Sequence, residues 1–456
     1  MITLRPYQED VIMNVRLALA RCRHVLIILS TGGGKTIIAT FMALGASLKG
    51  KRIMFTCHRD FLIEQTSAAF KKVGIEHTFI ASGLDYNPFC PVVIASMDTL
   101  KRRCFKVEHP DVLIVDEAIH SAAAGWANVI EYFQSKGSMT IGLCPCSERA
   151  NGQGLGKWYK EIVLGPTMSW LIENGFLSKY KIFAPSKPDL SEVGTKYGEY
   201  INKELSTAMN KPVITGKAIN EYSKLASGKR GVIFCCSIQH SKDVCHSFNE
   251  AGFLAVHIGS DTPKDERKSC LNRFRSGDIK ILTSVDIFSE GFDLPAVEYG
   301  ALLRPTKSLN IYLQQIGRIL RAHPDKEFAY IADHANNVST FGLPDEERLW
   351  TLSDKKKKRD SDGEKSIPVR ECPKCRFCFH PAKICPNCNY EFPIEYREIK
   401  EVDGELEELR ITAVKKEARK EQGKAGTFDQ LVEIGRRRGY KSPEFWAKQV
   451  MKGRKK

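Results

Sequence analysis

The chain has 456 residues, 42% of them hydrophobic, an ordinary globular composition long enough for two or three domains with cores of their own. Lysine and arginine outnumber aspartate and glutamate 69 to 54, a formal charge of +15 that favours a polyanionic partner and also fits a membrane-surface or ribosome-associated protein. No stretch approaches a membrane span, Met1 is not followed by the basic and apolar segments of a secretory leader, and the 15 cysteines suit a reducing compartment better than a disulfide framework, so an intracellular protein is expected.

Short apolar, β-branched runs at 25–29, 52–55, 92–95, 112–115 and 139–143 alternate with longer mixed segments, each run having the length of a buried parallel strand between helices. Residues 1–165 are expected to form one α/β lobe. Its first run leads directly into Ser30-Thr31-Gly32-Gly33-Gly34-Lys35-Thr36 and a helical pattern over 37–48. Glycines let backbone N–H groups curl around phosphate oxygens without Cβ clashes; Lys35 would then meet the terminal phosphates, Thr36 would place its hydroxyl on Mg²⁺, and the helix N-terminus would add a favourable dipole. The generic phosphate-loop pattern has a glycine where this chain has Leu29. The run at 112–115 ends in Asp116-Glu117, at the strand end where ligands of an open parallel sheet bind. Asp116 is expected to hold Mg²⁺ and Glu117 to orient and deprotonate an attacking water, since phosphoryl transfer depends on positioning and charge neutralisation. Alone, such a pair would be a helix cap.

Five further runs, at 231–235, 254–258, 279–283, 299–303 and 328–331, predict a second α/β lobe within residues 166–345, after a connector; the structure of 188–212 stays open. Glu290-Gly291-Phe292-Asp293 follows a strand end, its glycine suited to a tight turn and its carboxylates available to ribose, metal or arginine. Gln314, Arg318 and Arg321, spaced by four and three, are expected on one face of a helix, as either a solvated face or a polyphosphate clamp.

Residues 346–369 are expected to form a basic linker, with Lys355 to Lys358 and Arg359 solvated or touching phosphate. Within 370–392, Cys372, Cys375, Cys385 and Cys388 form two CxxC pairs at the spacing of a tetrahedral Zn²⁺ site, a zinc ribbon whose metal would supply the folding energy so small a segment lacks. Cys378 and His380 lie between the pairs as competing ligands. Phe377, Phe379 and Tyr390 would form the ribbon's miniature core or, with Lys374 and Arg376, touch nucleic acid. Residues 393–456 read as a charged helical stretch over 405–422 and a small helical end with a basic surface, for DNA backbone or a partner protein.

The ordered motifs over residues 3–335 resemble those of the superfamily-two helicases, most closely small phage and bacterial members related to restriction-enzyme motor subunits and branch-migration helicases. The resemblance implies two tandem RecA-like parallel-sheet lobes binding ATP between them. Arg5-Pro6-Tyr7-Gln8 resembles the segment whose glutamine reads adenine, which adds Arg5 and Gln8 to the nucleotide contacts. Thr56-Cys57-His58-Arg59 with Gln65, and Ser96-Met97-Asp98-Thr99-Leu100, resemble segments of lobe one that face nucleic acid, and 234–240 resembles the first strand of lobe two. By the resemblance Arg318 and Arg321 are arginine fingers and coupling residues. Two departures stand out: Ile119 replaces the histidine of Asp-Glu-Ala-His, with His120 adjacent, and Cys144-Pro145-Cys146-Ser147 replaces the hydroxyl-rich Thr-Ala-Thr-Pro segment that couples hydrolysis to movement.

The function expected is an ATP-dependent DNA helicase or translocase, with ATP, Mg²⁺ and Zn²⁺ as cofactors, remodelling single-stranded, forked, branched or displaced-strand DNA in the cytoplasm of a bacterial or phage-infected cell, with replication or recombination proteins as partners and no membrane. The alternatives are an RNA helicase and a nucleic-acid-binding clamp with a weak or vestigial ATPase.

Overall fold

The structure, a computed structural model, describes residues 3–185, 187–285, 297–354, 369–393, 421, 425, 427–438 and 442–453. The apolar runs of the N-terminal third lie side by side as β1 (His24–Ile28), β2 (Ile53–Cys57), β3 (Thr78–Ile80), β4 (Val92–Ser96), β5 (Val112–Val115), β6 (Met139–Cys144) and β7 (Glu161–Leu164). They form one parallel sheet in the order β3-β4-β2-β5-β6-β1-β7. Their side chains alternate between two cores: Val25, Ile27, Ile53 and Phe55 enter one, Leu26, Ile28, Met54 and Leu113 the other. Burial on both faces is why these strands are continuously apolar rather than alternating with polar residues.

The second sheet contains β8 (Lys179–Phe183) and, after the hairpin β9 (Thr195–Lys196) and β10 (Glu199–Tyr200), the strands β11 (Gly231–Phe234), β12 (Ala255–His257), β13 (Ile281–Ser284), β14 (Tyr299–Leu302) and β15 (Phe328–Asp333). Its order is β12-β13-β11-β14-β15-β8, again parallel. The two parallel-sheet, helix-covered lobes are consistent with RecA-like folds. Residues 188–212, left open by sequence, hold the hairpin and the helix Asn202–Met209, with the helix Pro212–Ala226 following. Strands β3, β7 and β8 were not expected. β3 has three residues, β7 buries little, and β8 carries Lys179, Tyr180 and Lys181, which masks its apolar face.

Beyond β15 the chain crosses back to the first lobe. Residues 341–348 fold into a compact turn on lobe two, where the Arg348 guanidinium donates to the carbonyls of Phe341, Leu343, Pro344 and Glu346 at 2.9–3.2 Å. Trp350 and Leu352 then pack on the lobe-one core that holds Leu155, Trp158 and Tyr159. The Gly156 N–H donates to the Leu352 carbonyl at 2.8 Å, and the Gly154 N–H to the Asp354 carboxylate at 2.7 Å. A Cβ on Gly154 would lie 2.2 Å from the Leu352 carbonyl oxygen, so this strap fits only because residue 154 has no side chain.

The cysteine-rich module follows, with β16 (Arg370–Glu371) and β17 (Cys378–Phe379) paired antiparallel. It covers the free edge of β8: the Ala184 N–H donates to the Arg376 carbonyl at 2.9 Å, and Phe183 meets Phe377. Phe377, Phe379 and Tyr390 pack into the module's own small core. Cys378, considered as a competing ligand, is instead buried in the core of lobe two.

Residues 393–456 form a separate compact unit. Within it the helices Phe428–Arg437 and Pro443–Gly453 enclose Leu431, Ile434 and Ala447, and Thr427 and Gln430 cap the first helix reciprocally. The basic run 355–359 lies outside the described residues, as does 405–422 apart from Glu421. No helix among the described residues is long and apolar enough to cross a membrane.

Substituting valine for Gly154 is expected to expel the strap and destabilise the protein by about 1–3 kcal/mol, as overpacking does. Denaturant titration measures the loss, and limited proteolysis should cut near residue 350 in the variant first.

Candidate active site between the two sheets

The glycine-rich loop follows β1, with Gly32 (φ +90°) and Gly34 (φ +87°) in left-handed conformations that side chains disfavour. Leu29, which stands where the general phosphate-loop pattern has glycine, turns its fully buried side chain beneath the loop. A Cβ on Gly33 would lie 2.8 Å from Leu29 Cδ1 and one on Gly165 2.5 Å from it, so two other glycines make the room that Leu29 takes. The helix Lys35–Ser47 starts at the loop. Lys35 Nζ donates to the Leu29 carbonyl at 3.3 Å.

The N-terminal helix Pro6–Arg21 braces the loop from outside. Tyr7 Oη donates to the Gly33 carbonyl at 3.0 Å and Gln8 Nε2 to the same oxygen at 3.4 Å, while Gln8 Oε1 accepts the Arg5 N–H at 3.0 Å. In this arrangement the buried Gln8 amide is engaged with the loop itself. The Arg5 guanidinium lies 4.7 Å above the Phe176 ring, which with Trp170 flanks Tyr7. Tyr7 carried no assignment from sequence. Its aromatic ring next to Gln8 was visible there, but its bond to a loop carbonyl 26 residues away was not.

Asp116 and Glu117 end β5. Glu117 is 6% exposed and takes φ 49°, a left-handed conformation in a residue with a Cβ, of the kind that marks functional sites. Burial pushes the Lys35 ammonium below its ordinary pKa; Glu117 and Asp116 oppose that shift and Arg318 reinforces it. Loop lysine, both acids and an arginine of the other lobe therefore share one electrostatic environment.

Lobe two supplies the helix Leu309–Ile319, packed tightly on β14 because Gly300 leaves space for Ile319. Gln314 Nε2 donates to Glu117 Oε2 at 2.9 Å, between two buried side chains of opposite lobes. A Cβ on Gly317 would lie 2.3 Å from Thr31 Cβ, so the helix touches the glycine-rich loop at its own glycine. Cys146 Sγ lies 3.7 Å from Asn310 Oδ1 of the same helix. Cys144 and Cys146 are buried, and burial raises both thiols, Cys146 to about 12, so the segment is neutral and apolar at neutral pH.

Gln314 and Arg318 share a helical turn, as expected, but Arg321 does not, because the helix ends at Ile319. Arg321 instead follows in an extended bridge opposite Leu177. Its carbonyl accepts Ser178 Oγ at 3.1 Å and Lys326 Nζ at 2.8 Å, and Lys326 also reaches the Ile319 carbonyl. Burial lowers the Lys326 ammonium to about 7. Glu290, Gly291 and Asp293 lie outside the described residues.

In the cysteine module the sulfurs of Cys372, Cys375, Cys385 and Cys388 lie within 4.8 Å of one another, with Cys372 to Cys388 at 3.6 Å and Cys375 to Cys385 at 3.7 Å. Four thiolates about 2.3 Å from one zinc ion stand roughly 3.8 Å apart, so the cluster fits a tetrahedral thiolate metal site.

Residues 1–144 match the family described as type III restriction enzyme, res subunit, and residues 215–323 match the helicase conserved C-terminal domain. A 51.5 kDa protein of a Lactococcus phage is 32% identical over 389 residues, covering 84% of this chain and 82% of its own length. The Saccharomyces cerevisiae protein named "Putative ATP-dependent helicase IRC3" is 28% identical over 366 residues, 75% of this chain; the chain spans about half of that relative, 53%. Among solved structures, the DNA-bound ATP-dependent type ISP restriction-modification enzyme LlaBIII superposes with a TM-score of 0.55 at 16% identity, over 73% of this chain and 28% of that one.

Alanine in place of Gly317 would press its methyl group into Thr31 and hold the two lobes apart. ATP turnover is expected to fall about a hundredfold, the usual cost of an ångström-scale misplacement of reacting groups. The melting temperature should fall as well, because Tyr7 and Cys146 of the first lobe share one buried core with Leu313 and Ile316 of the second.

Proposed function

The chain belongs to the superfamily 2 helicases and translocases, ATP-dependent enzymes that act on nucleic acid, and from that premise we propose that it is a DNA translocase or helicase that remodels forked, branched or displaced-strand DNA, hydrolysing ATP in the cleft between its lobes. The observation that carries the site assignment is the Gln314 to Glu117 hydrogen bond, which joins the arginine-bearing helix of one lobe to the acid of the other.

In this reading the backbone of 30–34 cradles the phosphates, Lys35 neutralises their terminal charge, and Thr36 and Asp116 would hold Mg²⁺, which supplies charge neutralisation at the transferred phosphoryl group. Glu117 accepts the proton of the attacking water, and its buried, left-handed setting with Gln314 as donor fixes the direction in which its second oxygen points. Arg318 and Arg321 stabilise charge in the transition state from the opposite side. Arg5 and Gln8 meet the base. Engagement of Gln8 with Gly33 makes the loop's position responsive to what lies in the base site. The Cys146 contact with Asn310 supports a coupling path through lobe two despite the missing hydroxyls.

DNA is favoured over RNA by the restriction-type relatives. Turnover measured with single strands, duplexes, forks, four-way junctions and RNA should rise most with branched or single-stranded DNA; stimulation by none of them would end the motor reading, and stimulation by RNA alone would move the substrate. Glu117→Gln is expected to lower stimulated turnover by about 10²–10⁴ while nucleotide still binds, as removal of a general base does. Turnover unchanged in that variant would favour the clamp.

We also propose that Cys372, Cys375, Cys385 and Cys388 bind Zn²⁺. Metal analysis should find about one zinc per chain. Chelation is expected to lower the melting temperature of lobe two, since the module covers the edge of β8; an unchanged melt with the metal removed would exclude a structural role.

A further inference from the structure

The hairpin β9–β10 stands apart from the ATP-site residues and is held by both lobes. Next to its turn the Glu199 carboxylate accepts Thr306 Oγ1 at 2.5 Å and the Lys307 N–H at 2.9 Å, and at its base Lys307 Nζ lies 4.9 Å over the Tyr200 ring. At its tip Gly198 abuts lobe one, where a Cβ would lie 2.7 Å from the Ala150 carbonyl. Thr306 follows β14 and Ala150 follows β6, so the hairpin spans the rim at the carboxyl ends of both sheets, the edge at which open α/β sheets receive ligands.

The two turn residues, Tyr197 (φ 54°) and Gly198 (φ 83°), both have positive φ, the requirement of the tight hairpin turn that asparagine or aspartate followed by glycine fills most easily. Tyrosine is a poor choice for that backbone, and its ring does nothing for the core: Tyr197 is 85% exposed. Lys196 Nζ lies 5.3 Å over that ring. A rigidly mounted, solvent-facing aromatic with a cation beside it has the composition of a stacking platform for an unpaired base, in which the ring meets the π-face and the cation serves the neighbouring phosphate.

We propose that Tyr197 is a nucleobase-stacking residue: an unpaired base of a strand lying across the two lobes stacks on its ring, with Lys196 at the adjoining phosphate. The proposal rests on the nucleic-acid reading above and adds the place where a base is held. Stacking recognises the base and not the sugar, so DNA and RNA strands are both suitable probes.

The test is equilibrium binding of the full chain to oligothymidylate and to oligouridylate of equal length. Tyr197→Asn is the informative variant, because asparagine suits the left-handed turn and leaves the hairpin folded. Y197N is expected to weaken binding by about five- to a hundredfold, the range for loss of one aromatic–base stack. Y197W should bind as well as the wild type or better, and turnover without nucleic acid should be the same in all three proteins. Wild-type affinity in Y197N, or a loss in Y197W as large as in Y197N, overturns the stacking role. A wild-type protein that binds neither oligonucleotide refutes the nucleic-acid reading itself, and this proposal with it.

Discussion

Two glycines decide whether the lobes can meet. Gly317 in the arginine helix has its would-be Cβ within 2.3 Å of Thr31 Cβ and 3.0 Å of the Thr31 carbonyl oxygen, and the would-be Cβ of Gly32 lies 2.7 Å from Cδ2 of Leu177, which bridges to Arg321 of lobe two. Backbone-to-backbone proximity of this kind sets the reach of every longer side chain around it. Gln314 meets Glu117 at hydrogen-bond distance, and Arg318 lies close enough to Lys35 to shift its titration, only because residue 317 contributes no side chain. The field around Lys35 is thus assembled from both halves of the chain, and separation of the lobes dismantles it.

Much of this was legible in the sequence, for physical reasons that also explain the gaps. Buried parallel strands read as uninterrupted apolar runs, and ten of them, from 25–29 to 328–331, appear in the structure with ends shifted by a residue or two. Phosphate loops and acidic strand ends announce themselves because glycine, lysine and adjacent carboxylates are each selected by local geometry. Arg321 was misplaced because periodicity continues through Leu320 although the helix does not: the Leu320 carbonyl accepts the Ser178 N–H at 2.7 Å, a tertiary bond with no local signature. The accommodation of Leu29 by Gly33 and Gly165 was equally hidden, since it depends on residues brought together by the fold. The hairpin at 195–200 escaped notice because its strands have two residues each, too few for any alternation to register.

The cysteine module shows a third kind of information. Its CxxC spacing was plain, and the geometry of the four sulfurs agrees with a thiolate metal site. Its place in the molecule was not plain. By bridging Phe377 to Phe183 at the edge of β8 and burying Cys378 in lobe two, it covers part of an edge that would otherwise present free backbone groups to other chains.

The path of residues 341–354 limits where the molecule can be divided. The chain builds lobe one, then lobe two, then returns to lay Trp350 and Leu352 against Leu155, Trp158 and Tyr159 before coming back to β8. A fragment ending between the lobes would therefore leave an aromatic patch of lobe one bare, and one starting there would carry an unanchored tail. The halves are interlaced rather than strung in series, and any swing between them must bend this return ribbon, which sets a mechanical stop on how far the cleft can gape.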